Sequence, residues 1–215
     1  MSDPISAMTH EPSTAAGDGL PAFRRATPDD AVNFAKAAFL AEQRVDMGTL
    51  AADLSVSRAT LHRWFGTRDQ LLERMFVELT TEFSTTARAT LTQAGLERVI
   101  EYVSSMVRMT VSLRPVQLFA QREPQLALRL LVSEHRAVQE TLVQTMLAVA
   151  AETGSPDQLV DRERAFKAAV QVGMALQYAG LASGEDPRTE RIVEIVRAVI
   201  VGVSNTEFRP PQLRS

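Results

Sequence analysis

The chain contains no cysteine, which excludes disulfides, thiolate nucleophiles and cysteine-ligated zinc. Histidine is almost as scarce, with only His10, His62 and His135, so general acid–base chemistry is thinly supplied. No His-x-x-x-His or Glu-x-x-His pair is present to hold a metal, and no serine stands on a nucleophile elbow. Glu134, His135 and Arg136 adjoin one another, yet helical neighbours point about 100° apart and cannot act together on one group. Neither an enzyme nor a cofactor is expected. A run of about 18 apolar residues is also missing, and the N-terminus lacks the basic-then-apolar order of a signal peptide, so a cytoplasmic protein without a membrane span is the expectation. There is no strand pattern of any length and no glycine-rich loop leading into a helix, which leaves an all-α fold. The formal net charge of −3 argues against a general polyanion binder, although a local basic face is enough for a specific one.

What the chain does have is concentrated between Met47 and Leu72. Met47, Leu50, Ala51 and Leu54 repeat at helical spacing behind Asp46, a candidate N-cap. After a tight connection, Ser57 can cap a second helix whose inward side is Leu61, Trp64 and Phe65. Its other side, Arg58, Ala59, Thr60, His62 and Arg63, is short, polar or cationic and free of acids, which suits a surface lying against DNA with base edges in reach. This spacing predicts a helix-turn-helix with its second helix in the major groove.

The run Leu50-Ala51, Val56-Ser57, Thr60-Leu61, Phe65, Arg68 and Leu71-Leu72 resembles the DNA-binding signature of the TetR family of bacterial transcriptional regulators, over roughly the first third of the chain. The resemblance implies base contacts from Arg58, Ala59 and Thr60, a phosphate contact from His62 where the family has a tyrosine, and another from Arg68 where it has a lysine. With Thr49, Ser57 and Arg63 these make up the expected DNA-binding set. Ser55 stands where the family prefers glycine in the turn, and a non-glycine residue in a left-handed conformation costs about 1 kcal/mol, so a distorted turn is expected.

Residues 1–26 are Ser-, Thr-, Pro-, Gly- and Ala-rich without apolar period and read as a mobile arm, whose Arg24 and Arg25 could reach a minor groove. Thr27-Pro28-Asp29-Asp30 is a helix start, continued by Val32, Phe34, Ala35, Ala38 and Phe39 to about Arg44. Residues 27–72 are expected to form the DNA-binding domain and 73–215 a helical domain for effector binding and dimerisation. Thr67 and Gln70 make a capping box for a helix reaching about Thr92, the natural connector. Gly95 marks a break, Leu96 to Leu113 resumes a helix, and Pro115 to Glu123 forms a short one. Gln125 to Glu152 reads as one long helix or a broken pair. Ser155-Pro156-Asp157-Gln158 and Asp186-Pro187 open the last two, ending near Ser183 and Ser204.

Phe166, Val170 and Gly173, with Ile192, Val196, Val199, Ile200 and Val203, draw apolar stripes on those last helices. They either close the monomer's own core or join two chains in a four-helix bundle; pattern alone leaves both open, and the TetR resemblance implies the homodimer. Between Leu96 and Tyr178 the apolar helices carry Tyr102, Met106, Met109, Gln117, Phe119, Glu134, His135, Gln139, Met174, Gln177 and Tyr178, a set that suits an apolar cavity with hydrogen-bonding tips. Arg114-Pro115, the stretch from Glu123 to Ala127 and that from Ser133 to Gln139 are similar to the QsdR subgroup, whose members are associated with acyl-homoserine-lactone breakdown. The expected function is therefore a repressor that binds a palindromic operator in double-stranded DNA and is released by a small apolar or weakly polar effector such as a lactone. The alternatives are a helix-turn-helix fold used only for protein contacts, which would not need the acid-free face from Arg58 to Arg68, and an all-α enzyme.

Overall fold

The computed structural model describes residues 25–133, 137–152, 162–184 and 188–204. Their regular structure is helical throughout: α1 (Pro28–Leu40), α2 (Met47–Asp53), α3 (Arg58–Phe65), α4 (Arg68–Ala89), α5 (Gly95–Ser112), α6 (Arg114–Arg122), α7 (Pro124–Leu128), α8 (Ala137–Glu152), α9 (Arg162–Ser183) and α10 (Thr189–Ser204). A single π-helical turn, Arg129–Ser133, follows α7. The expected arm up to Arg24, Glu134, His135 and the starts of the last two helices at Ser155 and Asp186 fall outside the described residues.

Local chemistry accounts for most helix ends. Thr27 and Asp30 form a reciprocal capping box, as do Thr67 and Gln70. α1 stops at Leu40 rather than near Arg44 because Glu42 turns left-handed (φ 62°), with Gln43 N–H donating to Ala38 and Glu42 N–H to Phe39 in a Schellman cap. Over the described residues, the segment from Gln125 to Glu152 gives α7, the π-helical turn and α8. Gln139, itself buried, donates from Nε2 to the Val132 carbonyl at 2.8 Å, satisfying backbone that the π-helical turn leaves open.

Two apolar clusters hold the helices together. The first runs from Val32 and Phe39 through Leu50, Leu61, Leu72 and Phe76 into Phe119 and Leu130, so α1 to α4 share one core with α6 and α7. Its centre is an aromatic trio in which Phe39 meets Phe76 edge-on at 5.2 Å and Phe119 at 6.0 Å. The second cluster joins α5, α8, α9 and α10 around Phe166, Met146, Val99 and Ile200. α4 contributes to both clusters, through Phe76 to the first and Ala87 to the second. Its 22 residues extend about 33 Å.

Candidate DNA-reading face and effector cavity

The turn between α2 and α3 is a regular Schellman motif. Val56 N–H donates to Ala51 at 2.9 Å and Ser55 N–H to Ala52 at 3.0 Å. The expected distortion does not occur; the strain sits in Ser55 alone, held at φ 53°. Asp46 caps α2 by accepting from Thr49 and Gly48, and these two N–H bonds, Thr49 first, hold its carboxyl below the usual range. Ser57 caps α3 by accepting from Thr60 N–H at 3.0 Å, and the two hydroxyls lie 2.9 Å apart.

With the ends fixed, one side of α3 packs inward through Leu61 and Phe65, and Ser57, Arg58, Ala59, His62 and Arg63 are left exposed, with Thr60 half-buried and Thr49 exposed on α2. The Arg58 guanidinium lies over Gly48, where a Cβ would stand 2.5 Å from its Nη2. His62 Nδ1 is 2.6 Å from the Gly66 carbonyl oxygen, so the ring proton sits on Nδ1 and the neutral ring presents Nε2 as an acceptor. A donor to phosphate from this ring therefore requires the imidazolium.

Arg68 departs from the expectation. Its Nη1 and Nη2 donate to the two carboxylate oxygens of Glu123 at 2.7 and 2.8 Å, and its Nε donates to the Val45 carbonyl at 2.5 Å. The side chain is turned toward the α6–α7 corner rather than presented to a phosphate, because arginine's planar fork matches a carboxylate bidentately where lysine could not.

A cavity of about 100 Å³ opens among α4, α5, α6, α8, α9 and the π-helical turn. A second, of about 50 Å³, shares Met106, Leu142, Met174 and Gln177 with it and reaches Tyr102 and Val196. Among the described residues no charged side chain lines either one. Of the residues expected here, Met106, Met174, Gln177 and Tyr178 do line the larger cavity, and Tyr102 only the smaller. The Tyr102 hydroxyl pairs with Ser84 at 2.8 Å, and burial pushes that phenol's pKa up. Four others stand elsewhere. Phe119 belongs to the aromatic trio, Gln117 donates to the Val111 carbonyl, Gln139 serves the π-helical turn and Met109 packs beside the second core. The wall that was missed is on α4, where Phe76, Leu79, Thr80 and Phe83 follow the i, i+3, i+4, i+7 rule and could have been read from the sequence.

Residues 94–201 match the family model described as "Tetracyclin repressor-like, C-terminal domain". The chain belongs to the TetR family. Its fold is also similar to the structure of the transcriptional repressor QsdR of R. erythropolis, a TetR-family protein, with 25% identity, a TM-score of 0.72, and coverage of 81% of this chain and 94% of that one. No curated protein matches it. As a TetR-family member the chain is a DNA-binding transcriptional regulator rather than an enzyme, of a kind that dimerises and answers to small-molecule effectors. No described helix is long and apolar enough to cross a membrane.

In this TetR-family chain the stripes expected to join two subunits are largely inside one. Phe166, Val170, Gly173, Ile192, Val196 and Ile200 are buried in the monomer, and Val199 and Val203 are half-buried. The reason is that α10 packs on both α9 and α5, so its cleanest apolar stripe is the inner one. The outward faces carry smaller residues: Ala175 and Ala179 exposed beside half-buried Val172 and Leu176 on α9, and Ala198, Val201 and Gly202 exposed beside half-buried Ile195 on α10.

Proposed function

We propose that this chain is a homodimeric repressor in the cytoplasm, in which the two α3 helices read the half-sites of a palindromic operator and a small neutral molecule in the α4–α9 cavity releases it. The observation that carries the DNA-reading part is the exposed, acid-free side of α3, with both ends of the helix fixed by Ser57 and Gly66. In this reading Arg58 and Thr60 meet bases in the first turn, and Arg63 and His62 meet phosphates further along, with Thr49, Ser57 and Ala59 at their edges. Residues 27–72 are then the DNA-binding domain and 73–215 the effector and dimer domain, joined through α4 and a shared core.

The outer face of α9 and α10, centred on Ala175, Ala179, Ala198 and Val201, serves as the dimer contact, because small side chains let two helix pairs approach closely. The lining formed by the described residues is uncharged, which disfavours ions, since they would lose hydration without gaining a partner there, and favours an apolar or weakly polar effector such as a lactone. Fluorescence anisotropy with the protein's own upstream DNA over a salt series tests the reading. Cationic contacts in two half-sites predict a log–log slope of several units, and a flat response would sink it. Arg58→Ala should weaken binding and relax preference at one base pair by about 1–3 kcal/mol.

A further inference from the structure

Several polar contacts tie the N-terminal helices and the loop after α1 to α6, to its corner with α7 and to the π-helical turn. Arg122 donates to the Glu42 carbonyl at 3.2 Å, Arg114 pairs with the Glu42 carboxylate at 3.0 Å, and Arg129 pairs with Asp69 at 2.9 Å. The corner itself is Glu123, which ends α6 and starts α7 in a non-helical conformation (φ −130°, ψ 57°) and caps neither helix with its side chain. Its carboxylate instead takes the Arg68 fork, with Arg44 at 3.8 Å. One residue on, the Pro124 carbonyl accepts a hydrogen bond from the Tyr178 hydroxyl at 2.9 Å, and Tyr178 lines the larger cavity. A continuous line of contacts therefore runs from the cavity wall through Tyr178, the Glu123–Pro124 corner and Arg68 to the Val45 carbonyl, immediately before the Asp46 cap of α2.

We propose that Tyr178, Glu123 and Arg68 form a positioning strut that sets the orientation of α2 and α3 from the cavity, so that Arg68 acts on DNA through Glu123 and not by touching phosphate. Tyr178 is then the point at which occupancy of the cavity is sensed; the inference rests in that respect on reading the cavity as the effector site. The ionic end is part-buried and bidentate, and its geometry demands an arginine. The tyrosine end is solvent-exposed, where water can replace the lost partner, so it is the end that a ligand shifts most readily.

The sign of one substitution separates the strut from a direct contact. Removing an acid near DNA ordinarily tightens binding, and freeing Arg68 to meet one phosphate in each half-site would steepen the salt slope by about two. A strut predicts the reverse: Glu123→Gln weakens operator binding on the order of tenfold with the slope unchanged. Arg68→Lys, which keeps the charge but not the fork, should do the same, and Tyr178→Phe should weaken binding several-fold. The double variant of Glu123→Gln and Tyr178→Phe should be no worse than Glu123→Gln alone. Hydrogen exchange over residues 47–65 should quicken in each variant, a readout independent of DNA. Tighter binding by Glu123→Gln with a steeper slope, wild-type behaviour of Arg68→Lys, or additive effects in the double variant would each overturn the strut. If the wild type fails to bind the DNA, that failure belongs to the proposed function, and unchanged exchange over 47–65 in Glu123→Gln and Arg68→Lys still overturns the strut.

Discussion

Gly173 on α9 faces Val196 on α10 so closely that a Cβ at position 173 would stand 3.1 Å from Val196 Cγ2. The two helices therefore meet backbone to side chain within one subunit, and Val196, only 2% exposed, belongs to the monomer's core. Val196→Glu should bury an unpaired charge and unfold the chain, as a collapsed far-ultraviolet circular dichroism melt would report. Val201, 37% exposed on the outer face, is a different case. Val201→Glu should leave the fold intact and give monomers in sedimentation. If Val201→Glu stays dimeric, the outer face of α10 is not the contact.

Ser55 offers a gain in stability. It occupies the glycine position of the α2–α3 turn at φ 53°, where a side chain is disfavoured by about 1 kcal/mol, although glycine loses more chain entropy on folding. Ser55→Gly should stabilise the protein by up to about 1 kcal/mol, with little effect on operator binding because the hydrogen bonds to Ala51 and Ala52 use backbone only. A urea titration that shows destabilisation would mean that the turn needs the serine side chain.

Acid should loosen the structure at two corners. The Arg68 hydrogen bonds hold the Glu123 carboxyl below its usual pKa, and those of Arg88 and then Arg98 do so for Glu152, which ties α8 to the end of α4 and the start of α5. A carboxylate depressed in the folded state contributes stability that is present above its unfolded pKa of about 4.3 and is lost as pH falls through the folded value. Glu123→Gln and Glu152→Gln should therefore lower the melting temperature near neutral pH, and their gap to the wild type should begin to narrow near about pH 4 and close as pH falls through the folded values. A gap that persists in acid would assign the loss to packing instead.

The helix-turn-helix could be read from the chain because its determinants are local. Asp46, Ser57 and Thr67 cap helices within three residues of themselves, and Leu50, Leu61 and Phe65 point inward by spacing alone. What could not be read depends on long-range pairing. Arg68 meets Glu123 55 positions away, and nothing in either residue's neighbourhood says so. Phe119 carries the same signal whether it lines a cavity or joins Phe39 and Phe76, and an apolar stripe such as Ile192, Val196 and Ile200 does not say which partner covers it. The α4 wall of the cavity is different again. Its spacing is legible, but a helix that contributes to both clusters buries more than one face, and spacing alone does not say which face Phe76, Leu79 and Phe83 turn to the cavity.

Met106 forms part of the wall shared by both cavities, with its sulfur 4.0 Å from the Ser84 hydroxyl, so it is the residue through which filling the cavity is best tested. For a ligand to release DNA it must bind the non-reading arrangement more tightly than the reading one, since equal affinity for both shifts nothing. If a neutral lactone is the proposed ligand, linkage requires that the factor by which it weakens operator binding equal the factor by which operator weakens lactone binding, typically about 5–150-fold. Met106→Trp places an indole in the space a ligand would take. It should shift operator affinity in the ligand's direction and abolish the response to the lactone, while the circular dichroism spectrum stays helical. Calorimetric titration of the lactone and anisotropy of the operator, each with and without the other, measure both sides of the cycle. Operator affinity left unchanged by bound lactone and by Met106→Trp would show that the cavity is not coupled to DNA, and the protein would then be a DNA-binding dimer without an effector switch at this site.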